Sequence, residues 1–205
     1  MTTAALIAGI SAGLAVAVPL GPIGVMIVDT GIRDGGRSAF AAGLGTATVD
    51  GLYAAAAALF GAAIAHLLAP AENALRLAAA AVLIGIGAYG LLRLRRTGRA
   101  APAATKAPPP AHHLFARFFA LTAVNPATAA TFAALMLGLP AVADGSPADR
   151  ALFVAGAFIA SLAWQSFLAG SGALLGHRLP PSGRWWTSLG GNVIVLALAV
   201  RLLAG

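Results

Sequence analysis

Long apolar runs separated by short polar turns dominate the chain. The first run extends from about Thr3 to Thr30 and is interrupted by Pro19-Leu20-Gly21-Pro22. A polar turn, Gly31-Ile32-Arg33-Asp34-Gly35-Gly36-Arg37, leads to a second run from about Ala39 to Leu68. The tight turn Pro70-Ala71-Glu72-Asn73 precedes a third run, about Ala74 to Leu92. A fourth covers about Leu114 to Leu139, and an acidic turn around Asp144 and Asp149 leads to a fifth, about Ala151 to Leu175. His177 to Gly183 forms the last turn before a sixth run, about Arg184 to Leu203. A membrane-spanning helix needs about 20 apolar residues. The pattern therefore predicts an all-α polytopic membrane protein with six transmembrane helices.

Composition agrees. The 205 residues are 60% hydrophobic and only 9% charged, whereas a soluble domain carries about 25% charged residues. The net charge is +7, but the basic residues fall between apolar runs, as a bilayer sorts them, so nucleic acid is not an expected partner. The absence of cysteine excludes disulfides, thiol catalysis and cysteine zinc sites. Ala15-Val16-Ala17 has the form of a cleavage site, yet Met1 to Leu20 holds no Lys or Arg. The first run is therefore expected to stay as a helix rather than leave as a signal peptide.

Arg93 to His113 is rich in Arg and Pro and cannot bury a core. It reads as a linker inside a single membrane transporter domain, between repeat one (1–92) and repeat two (114–205). The first, third and fifth connections carry Arg33, Arg37, Arg93, Arg95, Arg96, Arg99, Lys106, Arg117, Arg178 and Arg184; the other side carries Arg76, Arg150 and Arg201. This asymmetry puts the linker in the cytoplasm and both termini outside a cell (inner) membrane crossed several times. The halves also echo each other. Phe40-Ala41-Ala42-Gly43 matches Phe153-Val154-Ala155-Gly156, and the proline of Gly21-Pro22 matches that of Asn125-Pro126. Three spans per half make the second half inverted, a mark of secondary transporters with broken helices in corresponding positions.

Several residues carry candidate chemistry. Two prolines flanking a glycine at Pro19 to Pro22 should open the first helix, because proline lacks the N–H and clashes with the preceding turn. Backbone groups freed at membrane depth must face protein or a water-filled cavity, where Pro19, Gly21 and Pro22 could frame a carboxylate or ammonium; a plain kink is the competing reading. Asn125-Pro126 repeats the device, flanked by Thr122 and Thr128. Asp50 lies within the second apolar run among Gly43, Gly45 and Gly51. An intramembrane carboxylate is costly and marks an ion or substrate path. Asp29 is expected to pair locally with Arg33. Ser161, Trp164, Gln165 and Ser166 form a polar and aromatic cluster in the fifth run, where Trp164 matches Gly51 by repeat and could wall a cavity beside Asp50. Asn192 should link helices, while Trp185 and Trp186 read as interfacial anchors. The histidines form no helical metal-ligand pair, and no catalytic residues, metal site or cofactor are expected.

Taken in order, these motifs resemble the LysE/RhtB family of amino-acid exporters over nearly the whole chain. The resemblance rests on Pro19 to Pro22, the basic turn, the glycine-rich second helix with Asp50, the charged linker, Asn125-Pro126 and Ser161-x-x-Trp164. It implies a six-helix fold of inverted repeats that exports small amino acids or similar metabolites, driven by the proton gradient in antiporter fashion. It also implies that Pro22, Asp50, Asn125 and Pro126 surround a central site. Two departures stand out: Ile23-Gly24 follows Gly-Pro where members often carry Asn or Gln, and Ala127 to Phe132 holds no second acid. A dicationic substrate is then less well matched, and a neutral amino acid or an unrelated metabolite stays open. The expected site is Asp50 with Pro19, Gly21, Pro22, Asn125, Pro126, Thr128 and Trp164. The expected partners are a small-molecule substrate and the lipid bilayer, with a homodimer as a candidate assembly. The competing functions are a metal or inorganic-ion transporter and a non-transporting membrane scaffold.

Overall fold

The computed structural model describes residues 2–18, 21–68, 72–97, 109–125, 128, 131–132, 145–178 and 180–204. Among them, seven helices follow in order: α1 (Thr2–Ala17), α2 (Pro22–Asp34), α3 (Gly36–Leu68), α4 (Glu72–Thr97), α5 (Ala111–Ala123), α6 (Pro147–Arg178) and α7 (Pro181–Ala204). There are more helices than apolar runs because the first run is split. α1 ends at Ala17, and α2 restarts with Gly21 as its cap and Pro22 at its first position, where a missing N–H costs nothing. The two are bent by 78°.

α2 ends at Gly35, whose φ of 84° suits glycine, and its N–H bonds back to Gly31 O at 3.2 Å. α3 leaves helical angles once, at Phe60 (φ −134°, ψ 15°). α4 continues to Thr97 and α5 begins at Ala111, so the linker is shorter than the expected 93–113. Arg and Leu are good helix formers and extend the third run through Arg93-Leu94-Arg95-Arg96, where Leu94 is buried. Pro102 and Lys106 lie outside the described residues. The fifth run starts with a reciprocal cap: Asp149 N–H donates to Ser146 Oγ at 3.2 Å, while Ser146 Oγ donates to Asp149 Oδ2 at 2.8 Å.

Among the described residues, two helical segments are long and apolar enough to cross a bilayer by themselves, Gly36–Phe60 and Pro147–Arg178. The bent pair α1 and α2 qualifies as a third span. The outer faces suit lipid. Phe167 is 62% and Leu174 64% exposed, while Ser161, Gln165, Leu168, Gly172 and Gly176 bury the opposite stripe of α6. Exposed large side chains on this scale would be a liability in water.

α6 is the central post, against which α1, α2 and α3 all pack. Glycines set these approaches. A methyl added at Gly13 would come 2.5 Å from Ala157 O, one at Gly156 2.6 Å from Leu6 O, and one at Gly176 2.6 Å from Ile32 O. Close glycine seams let helices associate where lipid supplies no hydrophobic drive. The contacts also give chain directions. Gly9 meets Phe153 and Gly13 meets Ala157, so α1 and α6 run parallel. Gly45 meets Phe115 and Tyr53 reaches Ala123, so α3 and α5 run parallel too. Gly43 meets Gln165 and Gly51 meets Phe158, so α3 and α6 run antiparallel. Gly87 meets Leu196 and Gly90 meets Asn192, so α4 and α7 are antiparallel as well.

Candidate functional site

Along α3, three kinds of layer follow one another. Ala39 and Ala42 belong to one apolar cluster, with Ile27, Phe118, Leu168 and Ala169. Ala54, Ala57 and Ala58 belong to a second, with Ala5, Ala12, Phe132, Phe153 and Ala157. Thr46 and Asp50 lie between, both buried. α6 repeats the order in reverse: Phe153 and Ala157, then Ser161 and Gln165, then Leu168 and Ala169. The centre of the bundle is thus a polar layer held between two apolar ones.

The polar layer is knit by short hydrogen bonds. Ser161 Oγ donates to Asp50 Oδ2 at 2.6 Å, joining α6 to α3. Asp50 is 3% exposed and Ser161 0%. One turn before Asp50, Thr46 Oγ1 donates to Ala42 O at 3.3 Å. From α5, Thr122 Oγ1 donates to Phe118 O at 2.8 Å and lies 3.4 Å from Thr46 Oγ1. Tyr53 Oη donates to Ala123 O at 2.7 Å, fastening the end of α5 beside the Asp50 face of α3. Positions 46, 50 and 53 share a helical face.

Both helix interruptions fall at this level. Val16 packs against the cluster of Phe153, while Ile23 packs against the cluster of Ile27; the break between α1 and α2 lies between them. Phe118 belongs to the second of these clusters and Phe132 to the first. The stretch between them holds Thr122, Asn125 and the buried Thr128. α5 ends at Ala123, and Asn125 N–H donates to Thr122 O at 3.0 Å. Gly21 and Pro22 start α2 directly after its break. Pro19 and Pro126 lie outside the described residues.

Phe158, not the repeat-matched Trp164, is the nearest side chain to Gly51, with its Cδ2 3.2 Å from an added methyl. Trp164 packs against the cluster of Ile27, Ala42 and Phe118. Its ring lies 5.5 Å from that of Phe167. The physical reason is the antiparallel crossing: advancing along α6 means retreating along α3, so Gln165 meets Gly43 while Asp50 meets Ser161. Tyr53 and Thr46 belong to this face as well, and their spacing from Asp50 is the signal that marks them in the sequence.

A second polar group lies between α2 and α7. Arg33 Nε and Asp29 Oδ2 are 2.9 Å apart, Ser188 Oγ donates to Asp29 Oδ1 at 2.6 Å, and Arg33 Nε donates to Ser188 Oγ at 2.8 Å. A small pocket beside it is lined by Val25, Met26, Asp29, Ser188 and Asn192.

The family model for the LysE type translocator matches residues 14–205, and the chain belongs to that family. No match was found among curated proteins or among solved structures. Family and apolar helices together make it a membrane-embedded translocator of small molecules.

Proposed function

We propose that the chain is a secondary-active exporter of amino acids or related small metabolites across the cytoplasmic membrane, coupled to protons through Asp50. The observation that carries this reading is the buried Asp50–Ser161 pair in a polar layer at the level of both helix interruptions. A carboxylate inside a bilayer is expensive and finds its use in ion or substrate passage. Nearby hydroxyls and broken helix ends offer the donors and acceptors a zwitterion needs.

The inverted-repeat reading draws support from chain directions. α1 runs parallel to α6 as α5 runs parallel to α3, while α3 and α6 cross antiparallel and so do α4 and α7. Two inverted halves exchange partners in this way. Alternating access then follows from opening one apolar layer at a time: the Ala5–Phe153 cluster toward the outside, the Ile27–Phe118 cluster toward the cytoplasm. The linker lies on the cytoplasmic side and both termini outside, as the excess of Lys and Arg favours.

Uptake of labelled amino acids into inverted membrane vesicles tests the proposal. An imposed proton gradient should drive accumulation of at least one neutral amino acid, and Asp50→Asn should abolish that accumulation. Unchanged gradient-driven uptake by Asp50→Asn would remove the proposed coupling.

A further inference from the structure

We propose that Gln165 is a substrate-recognising residue, whose side-chain oxygen accepts an N–H from the ammonium end of the cargo. The inference rests on the exporter reading above and goes beyond it by assigning a contact to α6. Gln165 is 4% exposed, and its Oε1 is fully buried with no hydrogen-bond partner among the described residues. The hydroxyls of the polar layer are satisfied, whereas the indole N–H of the adjacent Trp164 is, like Oε1, buried without a partner among the described residues. Thr46 and Thr122 each donate to the carbonyl four residues earlier, and Ser161 donates to Asp50. Buried acceptors in folded proteins nearly always have a donor. In a translocator, a small polar cargo is the donor that comes and goes.

The geometry says which end of the cargo. Gln165 stands four residues after Ser161, on the same face of α6. It lies against Gly43, where an added methyl would sit 2.9 Å from its Cβ, so α3 and α6 approach closely there. Asp50, seven residues after Gly43, shares that face of α3. Ser161, bonded to Asp50, stands one turn from Gln165, so the crossing brings two acceptors into the same polar layer. A carboxylate is repelled by such a pair, and a group bearing several N–H donors is drawn to it. An amide oxygen adds no charge, so this second contact matches a single ammonium rather than two cationic centres.

Transport kinetics in inverted vesicles test this with labelled neutral amino acids as probes. Gln165→Met keeps the size and removes the acceptor. It should raise KM about 10-fold or more, the usual effect of losing a hydrogen bond to a charged group, with the maximal rate within about twofold. Gln165→Glu keeps an acceptor and should hold KM at or below the wild-type value. An unchanged KM in Gln165→Met overturns the assignment, as does a lowered melting temperature with unchanged KM, which marks a structural water on Oε1. If Gln165→Met fails to insert, Gln165→Glu decides alone: a KM raised about 10-fold overturns the assignment, because it keeps the acceptor. Counter-exchange without an imposed gradient separates the two proposals. Exchange whose KM rises about 10-fold in Gln165→Met upholds recognition, whether or not gradient-driven uptake shows coupling through Asp50. No flux of any probe in wild-type vesicles removes both.

Discussion

The hydroxyl of Ser161 donates to the carboxylate of Asp50 at 2.6 Å, across 111 residues of sequence and between two antiparallel helices. Neither residue is accessible from outside the bundle. The bond turns an isolated intramembrane acid into part of a shared centre. Ser161→Ala removes the donor and leaves a buried acceptor short of a partner. It should destabilise the protein by about 1.5–3 kcal/mol, read as a lower melting temperature in detergent. Ser161→Thr keeps the hydroxyl and should recover most of that loss.

Tyr53→Phe tests the tie between α3 and the end of α5. The lost bond to Ala123 O should cost about 0.5–1.5 kcal/mol. It should also slow transport more than it weakens stability, since it releases the chain next to Asn125. Thermal melts and initial uptake rates of the same preparations provide the comparison.

The seams around α6 predict a sharp contrast among glycines. A side chain at Gly156 meets the backbone at Leu6 and Ile10, and one at Gly13 meets Ala157 O at 2.5 Å. Gly156→Ala and Gly13→Ala should each cost about 1–3 kcal/mol by forcing α1 away from α6. Gly170 has nothing within 4 Å of an added methyl, so Gly170→Ala should be neutral or slightly stabilising. Comparable losses at all three positions would show that the seam does not set the packing.

The Asp29 and Arg33 side chains are 27% and 26% exposed, and their ion pair is correspondingly weak. A double-mutant cycle with Asp29→Asn and Arg33→Gln should give a coupling of about 0.2–1 kcal/mol. Ser188→Ala should cost more than either, because Ser188 is buried and its hydroxyl bonds both partners across α2 and α7.

The chain's own pattern dictates the membrane character, because 9% charged residues leave too little polar surface for water. It also determined the break after Ala17, since proline cannot continue a helix and glycine costs little at its start. Asp50 was legible as the candidate centre because an acid inside an apolar run needs a reason. Helix ends were less legible: Arg93 to Thr97 look like linker by charge, yet their helix propensity carries α4 onward. What only the tertiary structure decided was partnership. Which residue faces Asp50 depends on whether α3 and α6 cross parallel or antiparallel, and on the phase of the crossing; no local pattern encodes either. Repeat matching sets Trp164 opposite Gly51, whereas the antiparallel crossing brings Phe158 there and Ser161 to Asp50. The same crossing buries the oxygen of Gln165 in the polar layer, a property that exists only once the helices have met.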